Sequence, residues 1–111
     1  MPAYVPDKGD YIAVTFDPQS GHEQKGRRPA LVVSNRLFNK HTGLAIVCPI
    51  TNTQRGFPFH VAVEGNAHLA GFIMVEQVKS IDYHARRARR ISHASDGVIE
   101  EVLSLLDACI Y

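Results

Sequence analysis

Two short runs rich in β-branched residues, Ala30 to Ser34 and Leu44 to Ile50, constrain this chain more than any other feature. Each is nearly continuous in apolar residues, the pattern of a strand covered on both faces. They are expected to be the central strands of a sheet, with Asn39-Lys40-His41-Thr42-Gly43 supplying turn chemistry between them. Asp10 to Phe16 alternates Ile12, Val14 and Phe16 with Tyr11, Ala13 and Thr15, the period of a strand with one face on a core. Pro49 cannot donate to a ladder, so its strand is expected to bulge or to finish near Thr51 and release a polar loop carrying Asn52, Gln54, Arg55 and Phe57. Phe59 to Val63 and Phe72 to Ile81 read as further strands, and a short segment around Ala88 to Ile91 closes the set. Five or six short strands predict a small barrel. Ser95 or Asp96 can cap the stretch in which Val98, Ile99, Val102, Leu103, Leu105, Leu106 and Ile110 recur at helical spacing. The expected class is mainly β with α: a barrel of five to six strands covered by a C-terminal amphipathic helix.

The 111 residues fit one domain, 1–111, and the 45% hydrophobic and 21% charged content argues against disorder. The formal net charge is only +1, yet Lys79, Arg86, Arg87, Arg89 and Arg90 crowd one segment, so a local basic surface is compatible with the modest total. Cys48 and Cys109 both lie among apolar residues and are expected to be small buried hydrophobes, which suits a reducing compartment. The N-terminal residues lack an apolar leader, and no stretch approaches the ~20 apolar residues that span a bilayer. The expected setting is the cytoplasm, with no membrane partner.

Metal chemistry finds little support. The six histidines, His22, His41, His60, His68, His84 and His93, include no pair at helical spacing, and neither H-E-x-x-H nor C-x-x-C occurs. No cofactor cradle is present, since the G-x-G-x-x-G and P-loop patterns are both absent. Nor is there a G-x-S-x-G elbow for a serine nucleophile. What remains is Gly-His-Glu-Gln-Lys-Gly-Arg-Arg-Pro at 21–29. Pro29 fixes the backbone ahead of a strand and so holds Arg28 in a defined direction, and Gly21 and Gly26 bracket a turn expected to bring Glu23 back toward the guanidinium. Arg28, the Thr51 hydroxyl and a carboxylate suit the oxyanion of a phosphodiester. In RNA the nucleophile is already in the substrate: the 2′-OH attacks the neighbouring phosphorus, and the protein supplies a base, an anion-stabilising donor and a proton source. Arg28 suits charge stabilisation rather than proton donation, because its pKa lies above about 12. The acid stays open between His22 and His60.

In order along the chain, Tyr4-Val5-Pro6-Asp7-Lys8-Gly9-Asp10, Phe16-Asp17-Pro18, Gly21-x-Glu23-Gln24-x-Gly26-x-Arg28-Pro29-Ala30, Val47-Cys48-Pro49-Ile50-Thr51, Gly56-Phe57-Pro58-Phe59 and Gln77-Val78-Lys79-Ser80 resemble the MazF/PemK toxins of bacterial toxin–antitoxin modules. The resemblance implies an SH3-like barrel of the CcdB/PemK type, a homodimer, metal-independent and sequence-specific cleavage of single-stranded RNA, and a MazE-like antitoxin that blocks the RNA groove. Carried over by position, it implies that Arg28 and Thr51 are the catalytic pair and that Glu23 assists. It places Gln24, Arg27, Asn52, Gln54, Arg55, Gln77 and Lys79 at the RNA. A tryptophan common in the family's first strand is missing here, where Ala13-Val14-Thr15 stands. Two other readings compete: a gyrase-poisoning toxin like CcdB, which would need no phosphate-facing Arg–Thr pair, and a non-catalytic RNA-binding barrel.

Overall fold

A computed structural model describes residues 3–15, 27–54 and 56–111 of the chain. Seven strands form one sheet: β1 (Asp10–Thr15), β2 (Arg27–Val32), β3 (Leu44–Thr51), β4 (His60–Ala62), β5 (Phe72–Met74), β6 (Lys79–Asp82) and β7 (Arg89–His93). The order is β4-β5-β3-β2-β1-β7, with β6 paired to β3 outside that path. Every pairing is antiparallel. Among the described residues no ladder joins β4 to β7, so the sheet does not close into the expected barrel. The two apolar runs are interior strands, as their composition demanded.

The expected strand from Phe72 to Ile81 is two strands. A 3-10 turn, Val75–Gln77, separates β5 from β6, and this raises the strand count to seven. Its cause lies in β3, which pairs with β6 from Leu44 to Val47 and with β5 at Ile50 and Thr51. Pro49 lies between the two ladders, with no N–H to donate to either. The expected turn at 39–43 is the end of a helix, α1 (Arg36–Thr42). Asn35 caps it by accepting from the Phe38 N–H at 2.9 Å, and Gly43 stops it in the left-handed region at φ 73°. Buried Asn39 ties this helix down, its amide donating to the carbonyls of Pro6 at 2.8 Å and Ser34 at 3.1 Å. The C-terminal helix, α2 (Asp96–Ile110), begins at its expected cap: the Ser95 hydroxyl accepts from the Val98 N–H at 3.3 Å.

Side-chain alternation sorts the core onto the two faces of the sheet. Tyr11, Leu31, Cys48, Ile50, Val61 and Ile73 form the first core, which α2 covers with Val98 and Val102. Ile12, Val14, Ala30, Val32, Ala45, Val47 and Ile81 form the second, on the opposite face of β1, β2 and β3. Cys48 is buried as expected, and burial pushes its thiol up to about 12. Cys109 departs from expectation and is exposed on the last turn of α2. The folded protein is therefore expected to take up one equivalent of a thiol-labelling reagent, at Cys109, and a second only on denaturation; two fast equivalents in native buffer would contradict the burial of Cys48.

The N-terminal segment is locked by a polar knot around Asp10, whose side chain is only 7% exposed. Its carboxylate accepts from the Tyr4 hydroxyl at 2.6 Å, the Asp7 N–H at 3.0 Å, His93 Nδ1 at 3.0 Å and Arg90 Nε at 3.4 Å. Burial works to raise this carboxyl, but the bonds from Tyr4, His93, Asp7 and Arg90 outweigh it and hold its pKa below the ordinary value.

Candidate active site

Arg28 and Thr51 stand on neighbouring interior strands, and the register relates them. β2 and β3 pair at Val32↔Val47, Leu31↔Cys48 and Ala30↔Pro49. The ladder ends there; extended by two residues, the same register would set Arg28 across from Thr51. Both belong to the face opposite the first core, because Arg28 pairs with Val14 of the second core and Thr51 follows Ile50 of the first. The paired stretch ends at Pro49, so the two side chains lie at the open end of the ladder, where the apolar face gives way to polar groups. Lys79 shares that face through its pairing with Val47.

The backbone of Arg28 is fixed from the other side by β1, and its side chain is exposed with no hydrogen bond to another described residue. Arg27, by contrast, is bonded within the fold. Its guanidinium donates to the carbonyls of Ala13 and Arg87, each at 3.1 Å, and to the Thr15 hydroxyl at 3.4 Å. These bonds hold the end of β2 against β1 and the turn before β7. Thr51 is half-buried, and its hydroxyl accepts from the Thr53 N–H at 3.2 Å. That bond orients the oxygen and leaves its own proton to donate. Gly71 supports Thr51 from behind: at φ 134° it needs no Cβ, and a Cβ there would stand 2.6 Å from the Thr51 carbonyl oxygen.

Asn52 and Gln54 are exposed on the segment after β3, and Gln77 and Lys79 are exposed at the end of the 3-10 turn and the start of β6. Glu23, Gln24, Arg55 and His22, with the turn from Gly21 to Gly26, lie outside the described residues. His60 does not suit the part of proton donor to a substrate. Its side chain is 4% exposed, and Nε2 meets the Glu76 carboxylate at 3.0 Å. No sequence spacing signals this His60–Glu76 pair, which only the packing of β4 against β5 brings together.

The comparisons with known proteins bear on this arrangement. The model of the PemK-like, MazF-like toxins of type II toxin–antitoxin systems matches residues 7–110. The chain belongs to that family. The endoribonuclease toxin ChpB of Escherichia coli K12 is 46% identical over 111 residues, with 94% of this chain and 93% of that protein covered. The endoribonuclease toxin MazF of the same strain is 42% identical over 107 residues, with 96% and 92% covered. Among solved structures, MazF from Deinococcus radiodurans superposes with a TM-score of 0.87 at 39% identity, covering 97% of this chain and 98% of that one. A MazE–MazF structure from the same organism gives 0.88 at 36% identity, covering 96% and 97%. The fold of this PemK/MazF-like toxin, mainly β with a C-terminal helix, is thus the fold of its relatives.

Proposed function

We infer that this protein is a metal-independent endoribonuclease toxin that severs single-stranded RNA and is neutralised by a MazE-like antitoxin. RNA cleavage follows from membership of the family, whose relatives at 42% and 46% identity are endoribonuclease toxins. The observation that supports the mechanism is the placement of an exposed Arg28 and an oriented Thr51 hydroxyl on one face at the open end of the β2–β3 ladder. A phosphodiester bent into that fork would meet a fixed cation and a hydroxyl donor, the two groups that steady charge as it gathers on the phosphoryl oxygens.

In this reading the ribose 2′-oxygen attacks the adjacent phosphorus, the bond to the 5′-oxygen breaks, and the products are a 2′,3′-cyclic phosphate and a 5′-OH. Glu23 takes the 2′-OH proton. The leaving oxygen gains one, and with His60 held by Glu76, His22 is the remaining histidine candidate for its donor. Gln24, Asn52, Gln54, Arg55, Gln77 and Lys79 contact the strand on either side, and Arg27 contributes by holding Arg28. The working form is a homodimer of 1–111 domains acting in the cytoplasm. Exposed Leu37, Phe38 and Leu44 leave apolar surface for a second copy, and no helix among the described residues is long and apolar enough to cross a membrane.

Replacing only the scissile 2′-OH with hydrogen is expected to abolish cleavage, while EDTA leaves the rate unchanged. Scission of the deoxy-substituted strand would refute the transesterification; loss of activity in EDTA would refute metal independence.

A further inference from the structure

The arginines between β6 and the end of β7 have no part in the chemistry assigned above, and a cavity opens beside them. It measures about 220 Å³ and lies between Ala3 and Tyr4 of the N-terminal segment and Tyr83, His84, Arg87 and Ala88 of the turn that joins β6 to β7. From Tyr83 to Ser95 the chain carries four arginines and two histidines but no carboxylate, a local concentration of positive charge on a protein whose net charge is only +1.

The cavity has rigid aromatic walls and a cationic rim. The Tyr4 hydroxyl donates to Asp10 at 2.6 Å and the Tyr83 hydroxyl to the Asn39 carbonyl at 3.0 Å, so both rings are pinned and neither hydroxyl proton is left for a ligand. His84 and Arg87 are exposed, and both offer N–H donors. None of the lining residues is acidic. Such a site takes a flat ring that bears an anion: the ring lies against tyrosine, and the anion meets the guanidinium and the imidazole. At less than the ~300 Å³ that holds a drug-sized molecule, it has room for one such unit.

The backbone of Arg87 is the second observation. At φ 55° it is the one non-glycine residue among those described with a left-handed backbone, a conformation that penalises a side chain and that glycine adopts freely. The turn uses only backbone groups there: the Arg87 N–H donates to the His84 carbonyl, and the Arg87 carbonyl accepts from Arg27, each at 3.1 Å. Glycine would serve both bonds. Arginine adds a guanidinium launched from a fixed point at the mouth of the cavity, and strain held at such a rim is a mark of function. The Thr15 N–H, next to the Val14 that pairs with Arg28, donates to the Arg86 carbonyl at 3.0 Å, so this turn reaches the same end of β1 as Arg28. Asn52, Gln54, Gln77 and Lys79 stand on the β3 and β6 side of Arg28; the cavity stands on the side of β1 and β7.

We propose that this cavity binds one nucleotide unit, its phosphate on Arg87 and His84 and its base against Tyr4. Two sources carry that chemistry: the RNA strand beyond the scissile bond, and a free mononucleotide. The first rests on the endoribonuclease reading and the second does not.

The test measures, by calorimetry, the binding of adenosine 5′-monophosphate and of a cleavable single-stranded RNA made 2′-deoxy at its scissile sugar. The proteins are the wild type, Arg87→Gly and His84→Ala, with thermal unfolding of each alongside. Arg87→Gly suits the left-handed backbone, so it removes the guanidinium and keeps the turn. The wild type is expected to bind the mononucleotide about tenfold or more tighter than Arg87→Gly, with His84→Ala in between. If the strand is the source, its affinity falls in the same order, and in Arg87→Gly its salt dependence loses the slope of one phosphate, ~0.7, while cleavage at saturating RNA stays unchanged. If the strand binds all three proteins alike and the mononucleotide does not, the source is the free nucleotide. Should Arg87→Gly unfold at a lower temperature, His84→Ala carries the comparison. Equal binding by wild type and variants in both arms overturns the assignment. A wild type that leaves all-ribose RNA uncut refutes the endoribonuclease reading and removes the first source, and the mononucleotide arm then decides the cavity by itself.

Discussion

Arg28→Ala is expected to lower the cleavage rate at saturating RNA by about a hundred- to a thousandfold, the loss of ~3–4 kcal/mol that follows removal of one preorganised oxyanion donor. The stability of the protein should barely change. Arg28 is exposed and makes no hydrogen bond to the described residues, so nothing buried loses a partner. Arg28→Lys should recover only a small part of the rate, because a single ammonium cannot present the planar fork that meets two phosphoryl oxygens at once. Thr51→Val, which keeps the shape and deletes the hydroxyl, should cost less than Arg28→Ala, since a neutral donor is weaker than a charged one. Single-turnover cleavage of a defined oligonucleotide, with thermal unfolding of each variant alongside, separates these effects. An Arg28→Ala protein cutting within threefold of the wild type would remove Arg28 from the reaction.

Asp10→Ala is expected to destabilise the fold by ~2 kcal/mol, because it removes a buried carboxylate that accepts four hydrogen bonds and leaves the half-buried Tyr4 hydroxyl without its acceptor. Arg90 is a minor part of that loss, since its side chain is 52% exposed and its bond is the longest of the four at 3.4 Å. The effect carries a signature in pH. The folded pKa of Asp10 lies below its ordinary value, so the stabilisation is fully present above the unfolded value of about 3.9 and is lost as pH falls through the folded one. Urea unfolding at pH 7 and near pH 3 should therefore show the gap between wild type and Asp10→Ala narrowing in acid. A gap that does not change with pH would mean that the carboxylate's charge contributes nothing.

The legible parts of the sequence were those where one residue pattern has one physical outcome. The alternation from Tyr11 onward and the apolar runs of β2 and β3 gave strands, and the period of Val98, Val102 and Leu105 with Ser95 ahead of it gave a capped helix. The helix α1 escaped because it has no apolar stripe: Leu37 and Phe38 are exposed, and its stability comes from its caps and from buried Asn39, an internal partner with no periodic signature. The break at Val75–Gln77 escaped because it answers to β3, thirty residues away, and not to its own composition. Of the site, Arg28 stood out through Pro29 beside it and Thr51 through the strand end after Pro49, and a resemblance spread over the chain implied that the two act as a pair. Their shared face is a matter of register, which residue identity does not encode. Arg27 carries the same charge as its neighbour, and only the position of the Ala13 and Arg87 carbonyls separates a guanidinium bonded within the fold from the exposed one of Arg28.

The partner exchange along β3 has a consequence for regulation. One continuous strand is hydrogen-bonded to β2, β6 and β5 and ends in Thr51, so its amides belong to a single cooperative opening unit and should exchange with deuterium only on global unfolding. Among the described residues, Arg28 and Thr51 stand on strands joined directly by a ladder, so parting those strands requires breaking that ladder. An inhibitor is therefore expected to act by occluding the open end of the β2–β3 ladder, and its release is expected to restore activity without a refolding delay.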